Sequence, residues 1–324
     1  GFKEETAGSL MQAEFVWVRP NYTASKAIEK IRVSNSGEEL HNVFVLNAKN
    51  EAIGILPLRR LVLAKPSAKI SNIMSSDVFS VQADTDQEKV AKKFKEKDLI
   101  SMPVVDSENR MLGIITVDDV IDVLEEEATE DIYRLAGVDE DESVFSSPLF
   151  SISKRAPWLT INLFTAVLAA FSIALFENLL LAMATIAIYL PIVAGMGGNA
   201  GTQTLAIMVR GLALGEVSVK EYKRALKKEL IVGLANGLIT GLVVMGIVFL
   251  WKGTLLIGFI LLLAMVINLL VAAAAGTMVP LLLKWKKIDP ALASSIIITT
   301  FTDVFGFIAF LGIATIFWKA GLLA

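Results

Sequence analysis

Cysteine is absent from this chain of 324 residues, and histidine occurs once, as His41. The absence of cysteine excludes disulfide bonds, thiolate metal sites and cysteine nucleophiles. A single imidazole also excludes a zinc site built on a histidine cluster. Charged residues are scarce as well, at 19% of the chain against 54% hydrophobic residues. Together with a mean hydropathy of +0.62, this composition excludes an ordinary soluble globular protein.

The few charges are divided unequally between the two halves of the chain. Residues 1–153 contain 17 Lys and Arg against 27 Asp and Glu, a net charge of −10. Residues 154–324 contain 13 against 6, a net charge of +7. The total of −3 therefore joins an acidic piece to a basic one, and we expect two domains of different kinds.

The basic half consists largely of long uncharged runs. A helix needs about 20 apolar residues to cross a bilayer. Five stretches meet this length, and Asp303 interrupts the last of them: 156–176, 178–209, 230–251, 253–283 and 290–318. We therefore predict an all-α, five-helix transmembrane domain over residues 156–324.

Basic residues fall mainly on one side of the predicted spans. Eleven Lys and Arg residues flank the spans on one side, whereas the other side has only Lys252 and Lys319. Positive charge is enriched in cytoplasmic loops of membrane proteins. The acidic N-terminal half is therefore expected in the cytoplasm, and the C-terminus outside.

The acidic half contains an internal repeat of about 60 residues. GSLM at 8–11 reappears as SNIM at 71–74, and GILPLRRLV at 54–62 reappears as GIITVDDVI at 113–121. Each copy contains β-like and helical segments in the order β-α-β-β-α. This order predicts two copies of one α+β unit packed face to face, over about 8–67 and 68–132.

The repeat resembles the tandem CBS (Bateman) module, which often binds adenine nucleotides through a Thr/Ser-x-x-Asp motif. The second copy has this motif as Thr116 and Asp119, whereas the first copy has Pro57 and Arg60 in the matching positions. The resemblance leaves two interpretations open. One is ATP binding at Thr116 and Asp119, and the other is a purely dimerising scaffold.

A run of acids extends from Asp118 to Glu142. Asp119, Glu126 and Glu130 recur at helical spacing on one face. Like charges at this spacing destabilise a helix by tenths of a kcal/mol per pair. The run is therefore either a solvated acidic face or a surface bridged by Mg²⁺, which keeps part of its water shell in proteins.

Glycine is concentrated near the end of the second predicted span, where residues 195–201 contain four glycines in seven positions. Such a stretch is costly in a plain helix. It favours either close packing between membrane helices or irregular backbone along a water-filled path. Asn199 adds a side-chain carbonyl oxygen to the same stretch.

Asp303 is a lone carboxylate near the middle of the fifth predicted span, where a charge costs at least ~2.5–3.5 kcal/mol. The predicted spans contain no basic residue that could pair with it. A bound cation and a protonated acid are the remaining alternatives. Glu177 lies near the outer ends of the first two spans, where a cation would enter.

Four segments resemble the MgtE family of magnesium channels: 116–132, 191–203, 289–294 and 299–307. The resemblance implies a homodimer in the plasma (inner) membrane of a prokaryote, with five membrane helices per subunit and a pore on the two-fold axis. It matches Asp303 to the pore aspartate of the family. The expected ion-binding residues of the pore are Asp303, Asn199, Gly195, Gly198, Thr299 and Glu177.

The resemblance also implies Mg²⁺-sensing carboxylates in the cytoplasm and a linker helix at about 133–155. Family members usually carry a helical domain before the CBS pair, whereas this chain begins at GFKEETAGSLM. We therefore expect that domain to be absent or removed. The implied sensing residues are Asp86, Glu88, Asp98, Asp119, Glu127, Glu130, Asp131 and Asp289.

The expected function is a Mg²⁺-selective channel, not an enzyme, that admits the ion down its electrochemical gradient. Cytoplasmic Mg²⁺ bound to the sensing acids is expected to hold the channel closed. The alternative is a proton-coupled divalent cation carrier that uses Asp303. The expected partners are a second copy of the chain, membrane lipid, Mg²⁺ and an adenine nucleotide, and no nucleic acid is expected.

Overall fold

The computed structural model describes residues 1–34, 40–217, 221–292 and 294–323. Its chain divides into two compact units, Gly1–Ala128 and Thr129–Ala324. Lys220, one of the basic residues used to orient the spans, and residue 293 of the 289–294 segment lie outside the described residues.

The first unit contains two copies of the same α-β-α-β-β-α sequence of elements. The first copy comprises α1 (Ala7–Leu10), β1 (Trp17–Val18), α2 (Ala24–Val33), β2 (Asn42–Leu46), β3 (Ala52–Pro57) and α3 (Leu58–Val62). The second comprises α4 (Ile70–Ile73), β4 (Val81–Gln82), α5 (Gln87–Lys97), β5 (Ser101–Val105), β6 (Met111–Thr116) and α6 (Val117–Ala136). The repeat predicted from the sequence is thus present at the level of the fold.

Each copy forms a three-stranded sheet of the same topology. The first strand runs parallel to the second, and the second runs antiparallel to the third. The register shifts at matching places, between Val45 and Leu46 and between Val104 and Val105. The middle strands are almost wholly buried, which explains why they read as continuous apolar runs in the sequence.

The two copies exchange their first helices. Ala7 of α1 is buried in the core of the second copy with Val90 and Ile115. Ile70 of α4 is buried in the core of the first copy with Val18. The sequence bounds 8–67 and 68–132 therefore mark the repeats, whereas each core draws a helix from both.

The second unit is helical and built from long apolar elements. It comprises α7 (Pro148–Ala174), α8 (Glu177–Ala182), a 3₁₀ turn (Ala184–Tyr189), α9 (Leu190–Ala213), α10 (Tyr222–Lys252), α11 (Leu255–Trp285) and α12 (Ser294–Lys319). Among the described residues, five helical stretches are long and apolar enough to cross a membrane, as predicted. The stretch 178–209 is longer than one span needs, and it contains α8, the 3₁₀ turn and α9, of which Ala184–Ala213 form a single candidate span. Pro191 lies in the first turn of α9, where proline is favoured.

The helix expected over 133–155 is interrupted. Helix α6 ends at Ala136, and Gly137 follows with a φ of +70°, the conformation in which glycine commonly terminates helices. Helix α7 begins at Pro148 after Ser147, whose Oγ accepts from Phe150 N at 3.4 Å. The segment 137–147 between them is not helical. Gly137 and Ser147 therefore mark the end of one helix and the start of another, instead of a continuous helix over 133–155.

Helix α11 is the central element of the second unit, and half of the residues in its most apolar part are buried. Helix α10 approaches it closely at Gly233, Gly237 and Gly241. A Cβ at Gly233 would lie 2.7 Å from the Leu269 carbonyl oxygen, and one at Gly237 would lie 2.8 Å from Val266 Cα. Glycines four residues apart are typical of close packing between membrane helices, a signal that the sequence carries but that our sequence analysis missed.

Candidate ion pathway and acidic clusters

The glycine-rich stretch of α9 has two faces with different roles. Gly197 and Gly201 are buried against neighbouring helices. Gly195 and Asn199 are exposed in the single chain, and Gly198 is half-buried. Close packing between helices, the first interpretation of the sequence, holds for the buried face. The irregular backbone of the second interpretation is wrong, because α9 is a regular helix through this stretch, although its other face remains open.

Thr299 and Asp303 lie one turn apart on α12, and both are half-buried. A Cβ at Gly198 would lie 3.8 Å from Thr299 Cγ2, so the open face of α9 lies next to this part of α12. The Thr299 hydroxyl donates to the carbonyl oxygens of Ser295 and Ile296 at 3.0 and 3.1 Å. Its oxygen therefore remains able to accept hydrogen bonds from hydrated ions.

Asp303 has neither a salt bridge nor a hydrogen-bond donor among the residues that the structure describes. An isolated carboxylate inside a membrane is costly. Glu177, by contrast, is exposed in the first turn of α8, where a helix N-terminus favours negative charge. The structure thus brings Gly195, Asn199, Thr299 and Asp303 to adjacent helices and leaves Glu177 in a separate one.

In the first unit, the charges of three carboxylates act on Glu127. We call the four residues the Glu127 cluster: Glu5, Asp86, Glu88 and Glu127. Gln87 Nε2 donates to Glu127 Oε1 at 2.8 Å. Burial raises the pKa of the Glu127 carboxyl, the bond from Gln87 lowers it, and the charges of Glu88, Asp86 and Glu5 raise it. The sequence predicted three of these residues and missed Glu5, which reaches the cluster through the exchanged N-terminal segment.

Three of the predicted sensing acids have structural roles in the first unit. Asp86 Oδ1 accepts from Glu88 N at 3.1 Å and begins α5. Asp98 ends that helix with a φ of +50°. Asp119 Oδ2 accepts from Thr116 N at 2.9 Å and from Thr116 Oγ1 at 2.7 Å, so the two residues of the nucleotide motif bond to each other at the start of α6.

In the second unit, Glu130 and Asp289 converge on Arg134, whose guanidinium bonds to both. Glu140 lies 3.2 Å from the same guanidinium. We call these four residues the Arg134 cluster. The sequence predicted Glu130 and Asp289 but missed Arg134, although Glu130 and Arg134 have the i,i+4 spacing of a helical ion pair. Asp131 also engages in an interaction.

The acidic segment 137–147 pairs with the basic start of α7. Arg155 Nε donates to both carboxylate oxygens of Glu142 at 2.8 and 2.9 Å, and the Glu142 side chain is only 3% exposed. Lys154 Nζ lies 2.9 Å from Asp139 Oδ1. The hydrogen bonds from Arg155 and Lys154 lower the pKa values of Glu142 and Asp139 respectively.

Among the described residues of one chain, no group of three or more carboxylates or imidazoles lies close enough together to hold a metal ion by itself. The eight predicted sensing acids therefore do not form one site. Seven of them are divided among the Glu127 cluster, the Arg134 cluster and helix-end positions, and Asp131 lies within α6 outside both clusters. Any Mg²⁺ held by them would need water or a second chain to complete its shell.

Comparison with known proteins agrees with this architecture. Residues 190–313 match the MgtE family, described as a divalent cation transporter, and residues 7–67 and 70–126 match the CBS domain. The chain is 36% identical over 319 residues to the magnesium transporter MgtE of Enterococcus faecalis, covering 98% of this chain and 70% of that protein. It is 36% identical over 322 residues to MgtE of Thermus thermophilus, covering 98% and 71%.

Two solved structures resemble the first unit. One is the soluble part of a magnesium transporter, with 35% identity and a TM-score of 0.38, covering 39% of this chain and 50% of that one. The other is the cytosolic domain of the Mg²⁺ channel MgtE in complex with ATP, with 39% identity and a TM-score of 0.37, covering 38% and 50%. This chain thus spans half the length of each.

A tandem CBS module followed by five apolar helices, the latter matched by a divalent cation transporter family, is the architecture of an integral membrane transporter. The chain belongs to the MgtE family of magnesium transporters, since it is more than 30% identical to curated members over about 70% of their length. The predicted family and fold class are confirmed.

Proposed function

We propose that the chain is one subunit of a Mg²⁺ channel whose pathway runs along the open face of α9 and past Asp303. The observation that carries this proposal is the unpaired, half-buried carboxylate of Asp303, which lies one turn from Thr299, the residue of α12 that approaches the open face of α9 at Gly198. Asp303, Asn199 and Thr299 offer a charge, an amide oxygen and a hydroxyl oxygen, and hard oxygen ligands suit Mg²⁺.

A homodimer would double this site. Two-fold symmetry would place two Asp303 carboxylates opposite one divalent ion and balance its charge. Because Mg²⁺ sheds its water reluctantly, we expect Asp303, Asn199 and Thr299 to contact its hydration shell rather than the bare ion. The exposed face of α9 would then line the pathway instead of facing lipid.

The membrane potential is sufficient to drive the inward transport of Mg²⁺ through a passive channel. One elementary charge crossing 100 mV is worth ~2.3 kcal/mol, so a divalent ion gains ~4.6 kcal/mol. We place the first unit in the cytoplasm, because basic residues are concentrated on the same side of the spans as that unit. The C-terminus would then lie outside.

Inward flow of this kind needs closure when cytoplasmic Mg²⁺ is high. We expect Mg²⁺ to bind at the Glu127 cluster, where the charges of the neighbouring acids raise the pKa of Glu127 and no basic group among the described residues offsets them. A bound divalent ion would remove that repulsion and favour the conformation in which these acids stay close. An effector shifts a gating equilibrium only by its preference for one state.

An adenine nucleotide is a second regulatory ligand, suggested by the ATP complex of a related cytosolic domain. Thr116 and Asp119 carry the motif of the second copy, but their side chains bond to each other. ATP would have to replace that bond. Calorimetry with ATP tests this, because binding must weaken in Asp119→Ala, and binding that survives unchanged would place the site elsewhere.

A proton-coupled carrier is the alternative, and it also uses the unpaired carboxylate of Asp303. A channel transports Mg²⁺ down its gradient in the absence of a pH gradient, whereas a coupled carrier accelerates when a proton gradient is imposed. Influx that follows the proton gradient at a fixed Mg²⁺ gradient would favour the carrier.

Mg²⁺ influx into proteoliposomes tests the channel directly. Asp303→Ala should reduce influx by at least about tenfold, since it removes the only carboxylate predicted within the spans. Thr315→Val is the matched control, because Thr315 lies on the same helix and donates only to Leu311 O of that helix. Equal influx through wild type and Asp303→Ala would remove Asp303 from the pathway.

A further inference from the structure

Asn268 is a polar side chain in the middle of α11, and it is fully buried at 0% exposure. Burying an amide in an apolar environment is costly unless its groups are hydrogen-bonded. Leucine has the same branching at Cγ and would avoid this cost in a membrane helix. The amide therefore calls for a reason beyond the filling of space.

The amide group lies between two glycines of neighbouring helices. On α9, a Cβ at Gly197 would lie 2.8 Å from Asn268 Cγ, and on α12 a Cβ at Gly306 would lie 2.6 Å from Asn268 Nδ2. For both glycines, all three nearest atoms belong to Asn268. Asn268 therefore sets how closely the backbones of α9 and α12 approach α11 at this depth.

The two polar atoms of the amide differ in their hydrogen bonding. Nδ2 donates to the Val193 carbonyl oxygen of α9 at 2.8 Å. Oδ1 has no hydrogen-bond partner among the described residues, and it lies 2.9 and 3.0 Å from the Cβ positions of Gly197 and Gly306. A glycine points an α-hydrogen in that direction, so Oδ1 faces two weak Cα–H donors.

Both contact points adjoin the ion pathway. Gly197 directly precedes Gly198 and Asn199 on α9, and Gly306 lies three residues after Asp303 on α12. A shift of either helix around Asn268 would therefore change the separation between the open face of α9 and the carboxylate of α12. Among the described residues, Asn268 is the nearest side chain to both of these glycines.

We propose that Asn268 is a positioning residue of the ion pathway, which fixes α9 and α12 at the spacing that Asn199 and Asp303 need to contact a hydrated divalent ion. The hydrogen bond to Val193 fixes the orientation of the amide, and the two glycines fix its depth. This inference rests on the proposed channel function for its transport readout but not for its geometric one.

The transport readout is ion discrimination, because a ratio of fluxes does not depend on the amount of folded protein. Asn268→Leu should raise Ca²⁺ influx relative to Mg²⁺ influx by about threefold or more, a factor typical of the loss of one interhelical hydrogen bond in a membrane. Thr277→Val is the control, since Thr277 is equally buried on α11 but donates to Ala273 of the same helix. A ratio unchanged in Asn268→Leu, or changed equally in Thr277→Val, would overturn the inference.

The geometric readout is disulfide formation between Gly198→Cys and Thr299→Cys in this cysteine-free chain. A Cβ at Gly198 would lie 3.8 Å from Thr299 Cγ2, an atom one bond beyond the Thr299 Cβ, as the sulfur of a cysteine would be. The two positions are therefore close enough for a disulfide bond to test their approach. The pair should cross-link within one chain, and adding Asn268→Leu should slow the reaction by about threefold or more. Asn268→Ala serves the same purpose if the leucine variant does not fold.

The two readouts separate failure of the inference from failure of the channel function. An absence of Mg²⁺ influx in the wild type, with cross-linking slowed by the Asn268 substitution, would contradict the channel and support the positioning role. Cross-linking at the same rate in both backgrounds would overturn the positioning role. Failure of the parent pair to cross-link would also overturn it, because the role requires the close approach of α9 and α12.

Discussion

The Glu127 cluster of the first unit and the Arg134 and Glu142 pairs of the second unit differ in whether a basic side chain accompanies the acids. Around Glu127 in the first unit, carboxylates repel one another and only the neutral Gln87 donates to Glu127. In the second unit, Arg134 binds Glu130 and Asp289, and Arg155 binds Glu142. The difference suggests a rule for this protein: acids with a basic partner hold the chain together, and acids without one are available to an external cation.

Loss of Arg155 is expected to have the largest effect on stability. Arg155→Ala would leave the covered Glu142 carboxylate without its charge partner, but the Arg155 side chain is itself 56% exposed, so the cost is smaller than for a fully buried pair. Thermal unfolding in detergent should show a measurable decrease in Tm. The double variant Arg155→Leu/Glu142→Leu should recover much of it, and equal Tm values for the single and double variants would contradict a role as a structural pair.

The same pair predicts an acid limit on stability. The pKa of Glu142 is lowered in the folded state by Arg155. Its contribution is therefore present above the unfolded pKa of glutamate and is lost as the pH falls through the lower, folded value. Glu142→Gln should flatten the loss of Tm on acidification relative to the wild type, and an identical acid profile would show that the pair contributes nothing.

Removing Arg134 is expected to convert a paired cluster into an unpaired one. Arg134→Gln leaves Glu130, Glu140 and Asp289 without their cation, so Mg²⁺ should bind this cluster more tightly by about severalfold, as expected for carboxylates freed of a competing charge. The Mg²⁺ dependence of Tm measures this, with Arg32→Gln as an exposed control. An unchanged Mg²⁺ dependence would break the distinction between paired and unpaired acids.

The pH dependence of stability expected from Glu127 is opposite to that expected from Glu142. Burial and neighbouring acids raise its pKa in the folded state. The protonated form therefore stabilises the folded unit below the unfolded pKa, and this contribution is lost as the pH rises through the raised value. Without Mg²⁺ at neutral pH, Glu127→Gln should stabilise the unit by a few tenths of a kcal/mol, and its Tm should respond less to added Mg²⁺. A lower Tm in the variant would contradict repulsion in the cluster.

Asp98 should give the smallest effect, because its structural role depends on backbone conformation. Asn tolerates the left-handed conformation almost as well as Asp, so Asp98→Asn should change stability by less than about 0.5 kcal/mol, whereas Asp98→Ala should cost about 1 kcal/mol. Thermal unfolding of the two variants separates the roles. Loss of the Mg²⁺ response in Asp98→Asn would instead identify Asp98 as a ligand.

Local patterns in the sequence were sufficient for the repeated elements, the five spans and Asp303. Apolar periodicity and run length determine the helices and strands, and a lone carboxylate stands out against an uncharged background. The exchange of α1 and α4 between the two cores was not predicted, since both helices are four residues long and similar in the two copies. Glu5 joined its cluster only through that exchange.

The contacts of single side chains were less accessible from the sequence. Arg134 could have been found from its spacing to Glu130, but its bond to Asp289 joins positions 155 residues apart. Asn268 is an isolated polar residue in a long apolar run, which marks it as unusual. Its partners Val193, Gly197 and Gly306 lie on two other helices, and only the packing of the second unit shows that they meet.

The most direct test of the distinction between paired and unpaired acids is Mg²⁺ influx, measured at low and at millimolar Mg²⁺ on the cytoplasmic side. The wild type should conduct at low Mg²⁺ and close at millimolar Mg²⁺. Asp86→Asn combined with Glu127→Gln removes repulsion from the Glu127 cluster, but it also removes the ligands through which Mg²⁺ would bridge the parts of the protein. Because neutral side chains cannot replace that bridge, this variant should remain conductive at both concentrations. If wild type and variant close at the same Mg²⁺ concentration, the unpaired acids of the first unit do not sense the ion, and the account of gating is wrong.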